Sequence, residues 1–444
     1  MARKMRDSGV EWIGEVPEGW EVIRTKHKFY HTKRVVGDNA KEYERLALTM
    51  QGVIKRDKED SNGLQPKEFE GYQILEENEL VFKLIDLQNI STSRVGRSPF
   101  VGIVSPAYIV IHHRNESNTR FEYYYFLAMW MHDIFQTLGG DAVRSCLNAS
   151  DLLNVPLLSP PLPEQRRIAD YLDEKCAAID GAVDELKRGI EDCKAWKKAI
   201  IFEAVTGKQR IGFSAEKQRG RVAERPMRDS GIPWIGEIPE GWEVRRLKGI
   251  AIIAGRIGFR GYTTADIVGE GEGALSLSPS NLNDIVMTYS KRTYISWSKY
   301  QESPEIMVYE GDIVMVKTGA SYGKACIVES LPCKATLNPQ LVVLKNVSCE
   351  RRFLNYYLQT PFSRYQADLT VVGGTIPTMS QEKMGRWLVV LPTLPEQQAI
   401  ADFLDEKCAA IDALVAEKEE LIADLEAYKK SLIFELVTGK REVA

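Results

Sequence analysis

The chain has 444 residues, of which 44% are hydrophobic and 27% are charged. This composition is typical of a globular protein with two to four domains and excludes a disordered or fibrous chain. The net charge of −4 argues against a protein that merely coats nucleic acid. Because the sequence has no run of 18 apolar residues and no apolar core near its start, we expect a cytoplasmic protein without a membrane span.

The cysteines and the charges are unevenly distributed. The seven cysteines are scattered and never form a CxxC pair, which argues for a reducing compartment rather than a disulfide scaffold or a zinc finger. Residues 243–392 contain 17 Lys and Arg against 13 Asp and Glu, whereas residues 394–440 contain 5 against 11. A nucleic-acid-binding surface is therefore compatible with the acidic total.

The sequence contains an internal duplication, which constrains the architecture strongly. Residues 5–22 read MRDSGVEWIGEVPEGWEV and residues 227–244 read MRDSGIPWIGEIPEGWEV, with 15 of 18 positions identical. Residues 162–180 and 394–412 share 16 of 19 positions, and both halves end on VTGK. Residues 23–161 and 245–393 share little beyond coarse pattern. Fixed flanks around divergent middles suggest that the flanks meet a common partner and the middles meet different ones.

The first divergent block predicts a mixed α/β domain. Strand-like runs occur at Glu79–Ile85 and Val101–Ile111, and an aromatic helical stretch follows at Arg120–Phe135. Gly139–Gly140 then marks a turn. The second block has the same order, with strand-like runs at 312–317, 324–329 and 340–344, an aromatic helix at 350–365 and a turn at Gly373–Gly374. Both blocks are predicted to share one fold with different surfaces.

Each fixed tail predicts a long helix of about 40 residues, which begins at a proline and would be roughly 60 Å long. Apolar residues recur in steps of three and four, as in a coiled-coil seam interrupted by Lys197 in one tail and by Lys418 and Lys429 in the other. The predicted seam comprises Leu172, Cys176, Ile179, Val183, Leu186, Ile190, Leu404, Cys408, Ile411, Val415, Ile422 and Leu425. We expect the two helices to pair in antiparallel fashion; the alternative is that each lies against its own domain. VTGK is interpreted as a glycine C-cap.

Motifs of catalysis are not found in the sequence. Residues 319–325 (GASYGKA) are one residue short of a phosphate-binding loop and lack its magnesium-binding hydroxyl. The histidines His27, His31, His112, His113 and His132 all lie in the first half, although a duplicated enzyme should carry such residues twice. His27 and His31 have metal-ligand spacing, but no Glu or Cys stands nearby to complete a site. The LDEK segments at 172–175 and 404–407 are interpreted as solvated or partner-facing edges. We therefore predict a binding protein with no catalytic residues, metal or cofactor.

The sequence closely resembles the specificity subunit of a type I restriction–modification enzyme in three features. These are the lead-in W-I-G-E-[VI]-P-E-G-W-E-V, the L-P-E-Q at the start of each tail, and the fixed-variable-fixed order that occurs twice. The stretch from Gly311 to Lys324 is similar to the family's GDI…TG…GK pattern, and residues 80–89 and 102–110 are similar to another variant. The resemblance implies an α+β fold with two mixed α/β target recognition domains separated by an antiparallel pair of long coiled-coil helices. It divides the chain into a lead-in (1–22), a first recognition domain (23–161), a first long helix (162–208), a linker (209–226), a lead-in repeat with the second recognition domain (227–393) and a second long helix (394–444).

The resemblance also implies partners and a role. Each recognition domain would read one half of a split target in double-stranded DNA, and the helices would set the gap between the halves. The fixed regions would dock two methyltransferase subunits, which hold S-adenosylmethionine and flip the adenine. Two restriction (motor) subunits, which use ATP and Mg, would complete the complex. No membrane partner is expected.

Polar residues in loops that follow strands are the candidate DNA readers, because base edges are recognised by directional hydrogen bonds. The candidates are Gln88, Asn89, Ser91, Arg94, Arg97 and Arg144 in the first block, and Arg256, Lys317, Thr318, Ser321, Tyr322 and Lys324 in the second. For any one of them the alternative is an ordinary solvated loop residue. Two alternatives for the whole chain are a coiled-coil scaffold with two protein-binding domains and a fused enzyme with an unrecognised catalytic centre.

Overall fold

The computed structural model describes residues 3–59, 68–87, 94–114, 117–139, 146–209, 226–256, 261–283, 286–372 and 376–443. These residues form two compact units. The first unit comprises Met1–Lys187 together with Glu419–Ala444, and the second comprises Arg188–Lys418. The predicted linker (209–226) lies almost entirely outside the described residues. Among the helices that are described, none is long and apolar enough to cross a membrane.

Two long helices, Leu162–Thr206 and Leu394–Val437, are named here the first and second long helix. Each unit contains the start of one and the end of the other. In the first unit, Asp180 forms an ion pair with Lys429 at 2.6 Å. In the second unit, Lys197 forms an ion pair with Asp412 at 2.7 Å. In each unit, a residue from the N-terminal half of one long helix thus pairs with a residue from the C-terminal half of the other. The helices therefore run antiparallel in both units, as the sequence predicted. Two of the three lysines that interrupt the apolar seam, Lys197 and Lys429, thus bind aspartates of the opposite helix.

The apolar seam accounts for this packing. In the first unit, Leu172, Cys176, Ile179 and Val183 are buried in one cluster with residues from 432 to 437. In the second unit, Leu404, Cys408 and Ile411 are buried in one cluster with residues from 193 to 205. Ile190 is also buried. The remaining predicted seam residues are half-buried, namely Leu186, Val415, Ile422 and Leu425.

Both units are built around the same four-stranded antiparallel sheet. Its strand order in the first unit is Phe29–Tyr30, Ile109–His113, Leu80–Phe82, Val95–Arg97, and in the second unit Ile252–Gly255, Leu341–Lys345, Ile313–Val316, Ala325–Ile327. The corresponding strands occupy the same places along the chain in each half. The prediction that the divergent blocks share one fold is therefore confirmed.

The remaining strands complete each unit. In the second unit a five-stranded sheet has the order Ile267–Val268, Tyr294–Ser296, Gly273–Leu277, Ala335–Leu337, Met307–Val308. Two-stranded pairs are Met5–Asp7 with Glu15–Pro17, Glu21–Arg24 with Pro156–Ser159, Leu46–Thr49 with Gly52–Lys55, Gln73–Leu75 with Gly102–Val104, Met227–Asp229 with Glu237–Pro239, Glu243–Arg246 with Leu388–Leu391, Leu282–Asn283 with Val286–Met287, and Val371–Val372 with Thr378–Met379. Short helices cover Ala149–Asn154, Trp297–Gln301 and Gln381–Met384.

Three predicted elements are each divided in two. The run Val101–Ile111 forms two strands, because Pro106 lies in a turn between them and cannot donate to a sheet. The first aromatic stretch forms helices Thr119–Met131 and Ile134–Leu138, which are separated by Asp133 in a left-handed conformation (φ 58°). The second forms Arg351–Leu358 and Pro361–Thr370, because Pro361 begins a new helix that is capped by Thr360. We name Thr119–Met131 and Arg351–Leu358 the aromatic helices.

The fixed flanks pack on each other within each unit. Gly439 ends the second long helix with φ 72°, and a Cβ placed on it would lie 2.5 Å from Pro17 of the first lead-in. Gly207 ends the first long helix with φ 73°, and its Cβ would lie 2.4 Å from Pro239 of the second lead-in. The predicted glycine C-caps are therefore confirmed. The near-identity of the flanks has an internal cause, since each helix end must fit a lead-in, in addition to any shared partner.

Candidate nucleic-acid interface

The same hairpin connection in each unit contains most of the candidate DNA readers. In the first unit it joins Leu80–Phe82 to Val95–Arg97, and the N–H of Lys83 donates to the carbonyl of Arg94 at its neck (3.0 Å). In the second unit it joins Ile313–Val316 to Ala325–Ile327, and the N–H of Val316 donates to the carbonyl of Lys324 (2.8 Å). We name residues 83–94 and 317–324 the reading hairpins. The sequence alone did not show that these two connections occupy equivalent positions in the two units.

A second loop is fastened to each reading hairpin. In the first unit the N–H of Leu147 donates to the carbonyl of Leu84 (2.9 Å), and the Gln136 amide donates to the carbonyl of Leu87 (3.3 Å). In the second unit the N–H of Met379 donates to the carbonyl of Lys317 (2.8 Å). The N–H of Gly319 donates to the carbonyl of Pro377 (3.0 Å). Gly140 and the predicted turn Gly373–Gly374 lie outside the described residues. The described residues that follow each predicted turn, Leu147 in the first unit and 377–379 in the second, return to the reading hairpin.

Four candidates fall outside the described residues, namely Gln88, Asn89, Ser91 and Arg144. The residues that flank them are described. The first three belong to the reading hairpin between Leu87 and Arg94. Arg144 precedes the segment that begins at Cys146 and is fastened to the hairpin at Leu147.

Two arginine candidates are corrected by their burial. Arg94 is 1% exposed and donates to the carbonyls of Lys83 (3.4 Å) and Ile85 (3.1 Å). Arg256 is 3% exposed and its Nε donates to the carbonyl of Leu337 (3.0 Å). A buried guanidinium has several fixed donors to satisfy, and backbone carbonyls accept from some of them in both residues. Both side chains support the backbone from within and are not placed to reach a base edge.

The other candidates retain access to solvent. Ser321 is exposed, whereas Arg97, Lys317, Thr318, Tyr322 and Lys324 are half-buried. Arg97 donates to the side-chain carbonyl of Asn78 (3.0 Å). Burial lowers the pKa of Lys317. At the equivalent neck in the first unit, burial and then the charge of Arg94 lower the pKa of Lys83. A nearby anion would raise both pKa values again, because it stabilises the charged ammonium.

A surface groove of about 380 Å³ adjoins the reading hairpin of the second unit. It is lined by residues 321–324 of the hairpin, by residues 358–360 and by Arg364. The Arg364 guanidinium lies over the Tyr322 ring at 4.1 Å, and the Tyr322 hydroxyl donates to Asp368 at 2.8 Å. Sequence reasoning missed Arg364, because it lies on a helix whose first turn approaches the hairpin only in the folded chain.

A basic groove of about 440 Å³ in the first unit was also missed. It is lined by residues 41–45 and 55–58, which include five basic and three acidic side chains. Lys55 lies over the Phe100 ring at 5.4 Å, and Arg45 over the Phe69 ring at 5.5 Å. Lys41 and Arg45 precede the hairpin of Leu46–Thr49 and Gly52–Lys55, whereas Lys55, Arg56 and Lys58 end or follow it. The two groups are brought together only by the pairing of these strands.

His112 and His113 of the first unit form contacts within the fold. His112 Nδ1 lies 2.6 Å from Glu79 Oε1, and in the second unit Lys345 pairs with Asp312 at 2.9 Å between the equivalent strands. A lysine ion pair thus replaces the histidine contact in the other unit. Burial lowers the pKa of His113 to about 4. Within the described residues, no group of three or more His, Cys, Asp or Glu side chains is arranged to hold a metal ion.

The chain is thus a duplicated recognition protein, in which two copies of one α/β unit present different loops at the same place and share a pair of antiparallel helices. Residues 40–184 and 239–423 match the family described as the type I restriction modification DNA specificity domain. The chain belongs to this family.

Relatives and a solved structure extend the match. The type I restriction enzyme MjaVIII specificity subunit of Methanocaldococcus jannaschii is 24% identical, covering 96% of this chain and 94% of that protein. The putative type I restriction enzyme MjaX specificity subunit of the same organism is 27% identical over 208 residues, 45% of each chain. A chain from a structural study of complex assembly and conformational transition of the type I R-M system has a TM-score of 0.67 at 18% identity, covering 96% of this chain and 99% of that one. The last match shows a shared fold.

Proposed function

We propose that this specificity subunit recognises a bipartite target in double-stranded DNA, with each unit reading one half. The observation that carries this proposal is the pair of reading hairpins. They have the same place in two copies of one fold, yet differ in length and in nearly every side chain. Divergence at one equivalent surface, combined with near-identity of the flanks, is expected of two readers with different targets and one common assembly role.

The chemistry of the hairpins suits the reading of bases. In the second unit Thr318, Ser321 and Lys324 offer hydroxyl and ammonium groups that can form directional hydrogen bonds in a groove. In the first unit Gln88 and Asn89 offer amides, which match the paired acceptor and donor of adenine. Arg97 and Arg364 are suited to phosphate contacts, which position a protein on DNA without specifying sequence. The basic groove around Lys55 is suited to the same role.

The long helices serve as the spacer in this proposal. A helix of 45 residues measures about 68 Å at 1.5 Å per residue. Two readers joined in this way make the second DNA contact intramolecular, which raises specificity beyond that of either reader. The helices and lead-ins would also dock two methyltransferase subunits, and two motor subunits would complete the enzyme. Methyl transfer, S-adenosylmethionine and ATP with Mg would belong to those partners, so this chain would select the DNA without transforming it.

Methylation-sensitive sequencing of host DNA tests this proposal. We expect one split sequence to be methylated in cells that contain the chain and its methyltransferase partner, and to be unmethylated when the chain alone is deleted. The purified chain with S-adenosylmethionine should methylate nothing. An unchanged methylation pattern after deletion would favour the coiled-coil scaffold, and methyl transfer by the lone chain would favour the fused enzyme.

A further inference from the structure

One Arg–Tyr–Asp cluster joins the aromatic helix of the first unit to the first long helix. The Arg120 guanidinium donates to Asp173 at 2.8 Å and lies 2.6 Å from Asp170. The Tyr124 hydroxyl donates to the other oxygen of Asp173 at 2.8 Å. Asp173 thus accepts from an arginine and a tyrosine one helical turn apart. The aspartate belongs to the LDEK segment, so this part of the expected partner-facing edge is used within the chain.

The second unit repeats the cluster. Arg352 donates to Asp405 at 2.5 Å and to Asp402 at 2.8 Å, and the Tyr356 hydroxyl donates to Asp405 at 2.7 Å. Each residue lies 232 positions after its counterpart (352 − 120, 405 − 173). We name the two clusters the clamps, each formed by one arginine, one tyrosine and two aspartates.

The clamp residues remain the same where the surrounding sequence has diverged. Both aromatic helices contain the pattern R-F-x-x-Y-Y, at residues 120–125 and 352–357, whereas the two variable positions hold Glu and Tyr in one unit and Leu and Asn in the other. The arginine and tyrosines come from the divergent blocks, and the aspartates come from the fixed tails. Identity at this junction indicates a requirement that both readers share.

Two further contacts fix the aromatic helix at other points. Gln165 of the first long helix accepts from the N–H of Asn118 at 3.3 Å, and Gln397 accepts from the N–H of Glu350 at 2.8 Å. About two turns further on, Tyr125 donates to the carbonyl of Pro156, and Tyr357 donates to the carbonyl of Leu388. The helix is therefore held at three separate points, which determine its direction as well as its position.

Each aromatic helix also reaches the reading hairpin. In the second unit the Gln359 amide, at the helix C-cap, donates to the carbonyl of Ala325 at 2.8 Å, directly after the hairpin. In the first unit Phe126 packs edge-to-face on Phe82, which directly precedes the hairpin, at 5.1 Å. A continuous series of contacts thus connects the aspartates of the long helix to each reading hairpin.

The energetics favour a role in geometry over a role in stability. Arg352 and Asp405 are 39% and 42% exposed in their side chains, and ion pairs at this exposure contribute little to stability. A guanidinium fork shared with two carboxylates nevertheless fixes direction strongly. Burial, together with the hydrogen bonds to Asp173 and Asp405, raises the pKa of Tyr124 and Tyr356 far above the usual range. Both hydroxyls therefore remain protonated donors at all working pH values.

We propose that the clamps are positioning elements, which hold each reading hairpin at a fixed place on its long helix and thereby set how strictly the protein demands one spacing between the two halves of its target. This inference rests on the proposed function for its consequence in DNA recognition. The geometric part concerns each unit by itself and can be tested without DNA.

The first test measures distances within the second unit of the full chain. Spin labels attached through a ketone-bearing amino acid at Glu329 and Glu406, both exposed, leave the native cysteines intact. Arg352→Ala should broaden the distance distribution at least twofold, and Arg352→Lys should give an intermediate width. The control Arg386→Ala, which removes an exposed arginine paired with Glu382, should leave the width unchanged. An unchanged width in Arg352→Ala overturns the proposal.

The second test uses duplexes that carry the target found by methylation-sensitive sequencing, with gaps of the natural length and one base pair longer or shorter. Arg120→Ala should weaken binding of the complete target about 10- to 100-fold through a loss of effective concentration, and should reduce discrimination between gap lengths. Binding of an isolated half-site should change less than about twofold, since the reader itself remains intact. Arg120→Lys should restore part of the discrimination.

Two results distinguish the proposal from its alternatives. A parallel loss on half-sites and on the complete target, together with lower thermal stability, would show that the clamps merely stabilise the fold and would overturn the inference. If the wild-type chain binds no specific sequence, the proposed function fails, while the spin-label distances still decide whether the clamps fix the hairpin.

Discussion

The two units show how far one fold can vary while its frame is retained. The four-stranded sheet, the aromatic helix, the clamp and the glycine cap recur in both. Between the neck residues, the reading hairpin has ten residues (84–93) in the first unit and seven (317–323) in the second. Glu122 is fully buried in the first unit, whereas the equivalent position is Leu354. The comparison shows which residues are the same in both units. Residues that contact the long helices are retained, whereas burial alone does not keep a residue the same.

The lead-ins differ in a smaller way. The Trp20 indole donates to Glu164 of the first long helix at 3.0 Å. The equivalent Trp242 indole nitrogen is buried and has no hydrogen-bond partner among the described residues. In that unit Glu396, the counterpart of Glu164, accepts from Thr393. Near-identical lead-ins can therefore differ in whether the buried tryptophan nitrogen has a hydrogen-bond partner. The cause is one substitution nearby, because Thr393 of the second unit stands where the first unit has Pro161 and provides a competing donor.

The largest expected effect comes from exchanging one reader. Replacement of residues 23–161 by the block of another family member should change one half of the methylated sequence completely and leave the other half unchanged, because each unit contains its own reading hairpin. Methylation-sensitive sequencing measures the outcome, and exchange of residues 245–393 is the matched control. Loss of preference in both halves would contradict independent readers.

A change of spacer should alter the gap between the two readers. Insertion of one heptad at matched positions in both long helices retains the apolar seam and adds roughly 10 Å, or about three base pairs at 3.4 Å each. The methylated target should then have a gap longer by about three base pairs, with both halves unchanged. A gap of the original length would exclude the helices as a spacer.

Buried Glu122 should make the first unit depend on pH in a way that the second does not. Burial raises its pKa to about 7, against the opposing effect of Lys28 at 3.3 Å. Because the folded pKa lies above the unfolded value, the stabilising contribution is complete below pH 4.5 and is lost as pH rises through about 7. The loss is about 3 kcal/mol by linkage.

Glu122→Gln tests this expectation. The variant should be more stable than the wild type at pH 8 and similar to it near pH 5, as measured by urea unfolding. If the free energy of unfolding depended on pH in the same way in the variant and the wild type, the pKa of Glu122 would not be raised on folding.

The glycine caps should tolerate no side chain. Gly207→Ala combines an unfavourable positive φ with a Cβ 2.4 Å from Pro239, so we expect a loss of about 2 kcal/mol. Gly439→Ala should cost a similar amount through Pro17. Gly181, on the first long helix, is the control, because its Cβ would meet nothing within 4 Å and alanine there should stabilise by about 0.5–1 kcal/mol. Thermal unfolding that ranks the three variants otherwise would refute the packing of helix ends on lead-ins.

The smallest expected effect concerns the ion pairs between the long helices. Lys197→Ala and Lys429→Ala each remove one pair with a half-exposed aspartate, so each should cost less than about 1 kcal/mol. Because the two pairs have matching geometry, the two losses should agree. A large difference between them in chemical unfolding would show that the equivalence of the units ends at the helices.

Local patterns allowed much of the architecture to be predicted. The heptad spacing from Leu172 onward identified the long helices, and the antiparallel pairing followed from the presence of two equivalent seams. The strand-like runs near Ile313 and Leu341 were placed within one or two residues. The predicted element boundaries were wrong where a single residue interrupts a strand or a helix, as Pro106, Asp133 and Pro361 do. The pattern R-F-x-x-Y-Y was visible in the duplicated sequence, yet its role required knowledge of which aspartates lie beside it.

The sequence by itself determined the duplication, the two long helices, the glycine caps and the family to which the chain belongs, because these depend on periodicity and on backbone preferences that act over a few residues. Only the tertiary structure decided that Arg94 and Arg256 are buried, that Arg364 and the basic groove accompany the hairpins, and that Asp173 and Asp405 bind within the chain. The reason is physical: whether a charged side chain meets solvent or a backbone carbonyl depends on residues that are distant in sequence and adjacent only after folding.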